Sequence, residues 1–72
     1  MKKQDFEITA DYEYIQLNNL LKTLQLVQTG GHAKIVIQNG EVQVNGGVEL
    51  QVRKKLYRSD IVIFNQNEIH II

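Results

Sequence analysis

The clearest periodic signal in the chain is a stripe of leucines spaced i, i+3, i+4 and i+7. Its members are Leu17, Leu20, Leu21 and Leu24. This spacing places the four side chains on one face and predicts an amphipathic helix of about two turns. Because a helix this short is not stable alone in water, the leucine stripe must pack against another part of the chain.

Alternation of apolar and polar residues predicts short β-strands on both sides of this helix. Phe6 and Ile8 alternate with polar residues before it. After it, strand patterns cover residues 42–44, 48–52, 61–64 and 69–72. The tripeptides Asn-Gly-Gly at 45–47 and Asn-Gln-Asn at 65–67 are typical of turns between strands.

The segment AKIVIQNGEVQVNGG, residues 33 to 47, fits two different structures. Its β-branched residues and its first Asn-Gly dipeptide favour a β-hairpin. Ala33, Val36 and Ile37 instead fall on one helical stripe, with Thr29 suited to an N-cap and the Asn-Gly dipeptide to a C-cap. The β-branched run costs a helix only about a few tenths of a kcal/mol per residue, whereas burying one side chain contributes about 1.5–3 kcal/mol. From the residues alone, helix and hairpin are close to even.

Composition narrows the class of protein. The length predicts one domain spanning residues 1–72, and the absence of cysteine excludes disulfides and thiol chemistry. No segment approaches the roughly 18 apolar residues of a membrane span, and the amino terminus lacks the apolar run of a signal peptide. We therefore expect a cytoplasmic protein without a membrane partner.

Positive charge is concentrated in the middle of the chain, although the formal net charge is zero. Residues 30–58 contain five lysines and arginines against Glu41 and Glu49, a net charge of +3. Such a cluster is usually a solvated face and is, on its own, weak support for nucleic-acid binding.

No arrangement of residues predicts catalysis or a metal site. His32 and His70 lie far apart in the sequence, with no carboxylate at ligand spacing. Glu7, Asp11 and Glu13 form no recognisable acid–base pair. We expect no enzyme activity, no cofactor, no metal and no small-molecule substrate.

The line from Tyr14 to Val62 resembles the RNA-binding domain named after ribosomal protein S-four, especially its small stand-alone bacterial members. The residues that carry the resemblance are Leu20-Leu21-Lys22, Thr29-Gly30-Gly31, Ala33-Lys34, Ile37, Gly40, Val42, Val44-Asn45-Gly46, Lys54-Lys55-Leu56 and Asp60-Ile61-Val62. The resemblance implies an α+β fold with the alpha-L motif: a short N-terminal strand, two packed helices, then a small, largely antiparallel sheet. It therefore favours the helix over the hairpin for residues 30–38.

The resemblance also implies non-catalytic binding of structured RNA, with ribosomal RNA in ribosome assembly or translation as the expected context. A helix that begins with two glycines offers free N–H groups and a positive dipole end to a phosphate. Basic side chains nearby would add phosphate contacts. The expected RNA-binding residues are Lys22, Thr29, Gly30, Gly31, Lys34, Arg53, Lys54, Lys55 and Arg58.

Four positions depart from the family pattern, among them Val52, which occupies a place that is often basic. Gly30 stands where many relatives carry arginine, and His32 replaces the glutamine or glutamate that would complete a capping box. Ser59 replaces a usual glycine, at a cost of about 1 kcal/mol if that turn needs positive φ. Together with the zero net charge, these departures support a rival function: a protein–protein adaptor that kept the fold with weak RNA affinity. For either function we expect a monomer.

Several candidate residues also have a purely structural explanation. Lys22 and Lys34 could be solvated helix residues, and the basic group at 53–55 could protect an exposed strand from aggregation. Asn45 is favoured as a turn residue with positive φ rather than as an RNA contact. The tyrosines at positions 12, 14 and 57 could stack on bases, but partial burial at a sheet margin is more common for tyrosine.

Overall fold

Two short helices and seven short strands make up the fold, and the computed structural model describes all residues from 1 to 72. The elements are β1 Lys2–Phe6, β2 Ile15–Gln16, α1 Leu17–Thr23, α2 Gly30–Gln38, β3 Val42–Val44, β4 Gly47–Val48, β5 Lys55–Leu56, β6 Ile61–Phe64 and β7 Asn67–Ile71. Neither helix is long and apolar enough to cross a membrane.

The first part of the segment that fitted both a helix and a hairpin is helical: residues 33–38 belong to α2, and the strand β3 follows at Val42–Val44. The side chain of Thr29 caps α2 by accepting a hydrogen bond from the His32 N–H at 3.0 Å. Gly40 ends the helix with a φ of 79°, the left-handed conformation predicted for this position. Val36 and Ile37 are buried in the core that α2 shares with α1. The helix prediction is therefore confirmed and the hairpin is wrong.

The amino-terminal end of α1 is held by a distant part of the chain. Its N-cap residue, Gln16, makes no side-chain capping hydrogen bond. Instead, the N–H groups of Leu17 and Asn18 donate to the carbonyl oxygens of Lys54 at 2.8 Å and Val52 at 3.1 Å. Two of the N–H groups that every helix start leaves unpaired are thus satisfied by the loop before β5.

The strand predicted over residues 48–52 is wrong beyond Val48. The chain leaves the sheet after Glu49, and the Gln51 N–H donates to the carboxylate of Glu49 at 3.0 Å. Residues 49–54 form a loop in which the carbonyl groups of Val52 and Lys54 bond to the start of α1. Leu50 is 57% exposed, so its place in an alternating pattern did not reflect burial in a sheet.

The main sheet has the strand order β1-β7-β6-β3-β4. The outer strand β1 pairs in parallel with β7, and the other neighbours pair antiparallel. Strands β2 and β5 form a separate antiparallel pair that joins Ile15 to Leu56 and Gln16 to Lys55. The predicted α+β class with a largely antiparallel sheet is confirmed, whereas β2 and β5 were not predicted.

The first strand lies earlier than the alternation of Phe6 and Ile8 suggested. It covers Lys2–Phe6, and Ile8 lies beyond it. Ile8 is nevertheless buried, and its N–H donates to the carbonyl oxygen of Ile72 at 2.9 Å. The alternation therefore located an inward-facing residue correctly but misplaced the strand.

One apolar core joins the helices to the sheet. All 14 buried residues are apolar and belong to a single cluster. They are Ile8, Leu17, Leu20, Leu21, Val27, Ala33, Val36, Ile37, Val42, Leu56, Val62, Phe64, Ile69 and Ile71. Leu24, the last member of the predicted stripe, is half-buried and packs at the margin of this cluster.

The turn before β6 requires positive φ, and Ser59 adopts a φ of 83° there. We expect Ser59→Gly to raise the free energy of unfolding by about 0.5–1 kcal/mol, because relief of strain exceeds the entropy that glycine adds to the unfolded chain. The hydrogen bond from the Ser59 N–H to the Ile71 carbonyl oxygen, 2.8 Å, is kept by glycine. Urea unfolding measures the change, with Ser59→Ala as the control that keeps the strain. A less stable glycine variant would contradict this account.

Candidate nucleic-acid interface

The start of α2 presents open backbone to solvent. Gly30 and Gly31 are exposed, and their N–H groups have no hydrogen-bond partner within the protein. A Cβ atom at Gly30 would have no neighbour within 4 Å, and at Gly31 the nearest atom would be Thr29 Oγ1 at 3.8 Å. Packing therefore does not require glycine here, whereas a ligand that approaches the backbone closely would benefit from it.

Lys34 lies one helical turn after these glycines. Its side chain is exposed, three and four positions beyond Gly31 and Gly30. Cα–Cβ bonds in a helix tilt toward its amino terminus, so the Lys34 side chain leaves the backbone on the side of the open glycines. No carboxylate lies within ion-pair distance of it. A positive side chain, free N–H groups and the positive end of the helix dipole thus converge at one place.

His32 contributes to the same helix start in a way that the sequence did not suggest. As predicted, the reciprocal capping box is not formed, because the side chain of His32 does not bond to the N–H of Thr29. The Nδ1 atom of His32 instead accepts a long hydrogen bond, 3.4 Å, from the N–H of Gln28. This contact links the loop that leads into α2 to the first turn of the helix.

The remaining predicted basic residues lie around α1. Lys22 is exposed in the last turn of α1, where a cation also stabilises the helix dipole. The basic segment Arg53–Lys55 lies at the opposite end of α1, because the carbonyl oxygen of Lys54 binds the N–H of Leu17. At 1.5 Å per residue, the axial separation of Leu17 and Lys22 is about 7.5 Å. The helix α1 therefore spans the distance between the basic segment and the loop that enters α2.

Arg58 has an intramolecular partner. Its guanidinium group donates to the carbonyl oxygen of Ile8 at 2.9 Å, in a partly buried contact. This bond ties the segment after β1 to the loop before β6. Arg58 was predicted as a phosphate contact, and at least one of its donors serves the fold instead.

Asn45 and Asp60 hold the two turns on this side of the sheet together. Asn45 has a φ of 52°, as expected for a turn residue. Its side chain accepts a hydrogen bond from the Ile61 N–H at 2.9 Å and donates to Asp60 Oδ1 at 3.0 Å. The other carboxylate oxygen of Asp60 accepts from the Tyr57 N–H at 2.8 Å. Asn45 and Asp60, which are among the residues that carry the family resemblance, thus have a structural role.

One pair of titratable groups lies away from these residues, on β7. His70 Nε2 and Glu68 Oε2 are 2.6 Å apart, a contact that was not predicted from the sequence. The hydrogen bond from His70 lowers the pKa of the Glu68 carboxyl below its ordinary value, and the charge of Lys3 lowers it further. No group of three or more histidine, cysteine, aspartate or glutamate side chains is placed to hold a metal ion.

Comparison with known families agrees with the fold and with the resemblance found in the sequence. The model of the S4 domain family matches residues 6–72. The chain therefore belongs to the S4 domain family, which confirms the family predicted from the sequence.

Individual relatives match most of the chain. It is 31% identical over 61 residues to the "Putative RNA-binding protein YbcJ" of Escherichia coli, covering 85% of this chain and 87% of the relative. It is 38% identical over 55 residues to the "Probable ribosome maturation protein RlbA" of Bacillus subtilis, covering 76% and 78%. The solution structure of YbcJ from E. coli, described as revealing an αL motif involved in RNA binding, superimposes with a TM-score of 0.71. That structural match has 29% identity and covers 94% of this chain and 85% of the other.

Proposed function

We propose that this protein binds structured RNA through the sugar–phosphate backbone and carries out no catalysis. Membership of the S4 domain family and the RNA-binding description of YbcJ support this function. The observation that carries it in this chain is the start of α2, where exposed glycines have unpaired N–H groups and the exposed Lys34, which makes no ion pair, follows three to four residues later. Such a surface recognises phosphates by position and charge and reads little base sequence.

The proposed ligand is ribosomal RNA during ribosome maturation, and the proposed location is the cytoplasm. The name of the B. subtilis relative supports the ribosomal context. The whole chain would act as one domain and as a monomer, without a membrane or small-molecule partner. Contacts with the RNA backbone would extend along α1 to Lys22 and to the basic segment Arg53–Lys55. Arg58 would add positive charge at the edge of this interface.

A protein–protein adaptor is the second candidate function. It is favoured by three exposed apolar side chains, Ile35, Val48 and Leu50, each more than half exposed. The zero net charge of the chain also fits an adaptor better than an RNA-coating protein. RNA binding and its dependence on salt distinguish the two functions.

The substitution Gly30→Ala tests whether glycine is required at this position for folding or for RNA binding. Because a Cβ atom there meets nothing in the protein, we expect Gly30→Ala to leave the free energy of unfolding unchanged or to raise it by up to about 1 kcal/mol. The methyl group occupies the space through which a phosphate would reach the N–H groups. We therefore expect RNA affinity to fall about tenfold, the value of one charge-assisted hydrogen bond.

The matched control is Gly47→Ala, which adds the same methyl group on β4, where the nearest atom is 4.0 Å away. It should bind RNA like the parent. Equilibrium binding to an RNA hairpin and urea unfolding of all three proteins provide the comparison. A Gly30→Ala protein that is folded and binds as tightly as the parent would place the phosphate contacts elsewhere.

A further inference from the structure

The two-stranded sheet β2–β5 carries an exposed pair of tyrosines at its open end. Its register pairs Ile15 with Leu56, and one step further along the strands Tyr14 lies opposite Tyr57. The two ring centroids are 6.0 Å apart, with the ring planes tilted by 53°. Because side chains alternate between faces along a strand, Tyr14, Tyr57 and Lys55 share one face while Leu56 points into the core. We call these three residues the tyrosine platform.

The tyrosine platform is accessible to solvent, and it includes a cation–π contact between Lys55 and Tyr14. Tyr14 is 37% exposed and Tyr57 is 47% exposed, so each side chain is partly buried, as expected from the sequence, and part of its surface remains open to solvent. The ammonium group of Lys55 lies 4.9 Å from the centroid of the Tyr14 ring. Exposed aromatic rings beside a positive side chain are the combination on which single-stranded nucleic acids stack their bases.

The surroundings of the tyrosine platform fit a nucleotide. Lys54 and Arg53 precede Lys55 directly in the basic segment, so a phosphate bound there would be adjacent to a base on the rings. A groove of about 570 Å³ borders the platform at Tyr14, and the side chains of Gln16 and Asn19 line it. Their amide groups can donate and accept hydrogen bonds at a base edge.

We propose that the tyrosine platform stacks one unpaired nucleobase of the bound RNA, next to the backbone contacts of the basic segment. This inference rests on the proposed function, since it specifies a structural feature of the RNA: a paired region that carries an unstacked nucleotide. Paired RNA keeps its bases inside the helix, where the two rings cannot reach them. The protein therefore prefers RNA with a bulged or looped-out base.

The test compares a short, fully paired RNA duplex with the same duplex carrying one bulged nucleotide. We expect the parent protein to bind the bulged RNA about 5- to 150-fold more tightly, the range of one base stacked on aromatic side chains. The double variant Tyr14→Leu/Tyr57→Leu should lose this preference and still bind the paired duplex. The double variant Tyr14→Phe/Tyr57→Phe keeps both rings and should keep the preference. Circular dichroism establishes that each variant is folded.

A measurement on the parent protein tests whether a base stacks on the tyrosine platform, even if the leucine variant does not fold. In NMR spectra, the ring protons of Tyr14 and Tyr57 should shift upfield when the bulged RNA is added, because a stacked base places them in its ring current. Equal affinity of the parent for both RNAs, or unchanged ring resonances, would overturn the tyrosine platform and leave the proposed function standing. Retention of the full preference by a folded leucine variant would do the same. A parent that binds neither RNA would overturn the proposed function together with the platform.

Discussion

Replacing Leu21 with alanine is expected to lower the free energy of unfolding by about 2–5 kcal/mol, the usual cost of a buried leucine-to-alanine change. The Leu21 side chain is fully buried in the cluster that joins α1 to α2. A domain of this length has a total stability of only about 4–11 kcal/mol. The substitution therefore removes a large part of the stability, and with it the support of the α2 start.

The exposed Leu50 provides a matched control for this change. Leu50→Ala removes the same atoms from a side chain that is 57% exposed, and we expect a change within about 0.5 kcal/mol. Urea unfolding followed by circular dichroism compares both variants with the parent. If the two alanine variants were equally stable, the packing of α1 described above would be wrong.

The second large effect is expected in RNA binding when the basic segment loses two charges. Changing Lys54 and Lys55 together to glutamine removes two phosphate contacts. The slope of log affinity against log salt should become shallower by about 1.5, and at 0.15 M salt the affinity should fall about 20-fold. Binding should weaken for all RNA sequences alike, because phosphates carry no sequence information.

The control for this charge change is the double variant Lys2→Gln/Lys3→Gln. It removes the same charge from β1, the edge strand at the opposite end of the sheet from β4. RNA affinity and salt slope should stay close to those of the parent. If the substitutions at 54 and 55 left both quantities unchanged, the basic segment would not be part of the interface.

The sequence predicted the parts of the fold that depend on local periodicity. The leucine stripe located α1. The cap residue Thr29 and the apolar positions of α2 were compatible with a helix, and the family resemblance then favoured the helix over the hairpin. The strand predicted over 48–52 failed because hydrogen bonds from α1 to the carbonyl groups of Val52 and Lys54 determine that segment. Such bonds join residues that are distant in the sequence, and they produce no periodic pattern of apolar and polar residues.

The candidate site was predictable to a similar degree. The glycines that open α2 and the basic residues were visible as residue types at suggestive positions. The bond of Arg58 to the Ile8 carbonyl group was not, because it depends on how two loops meet. The pairing of Tyr14 with Tyr57 depends on the register of β2 and β5, which are too short to show alternation. Both features therefore emerged only from the three-dimensional arrangement.

The salt dependence of RNA binding by the unmodified protein tests the central claim most directly. The experiment measures the affinity for a labelled, structured RNA at a series of salt concentrations. Five basic contacts, from Lys34 and the residues at 53, 54, 55 and 58, predict a slope of log affinity against log salt of about −3.5 to −4.5. Absence of binding even at low salt, or affinity that does not change with salt, would contradict backbone recognition and make the adaptor the better account.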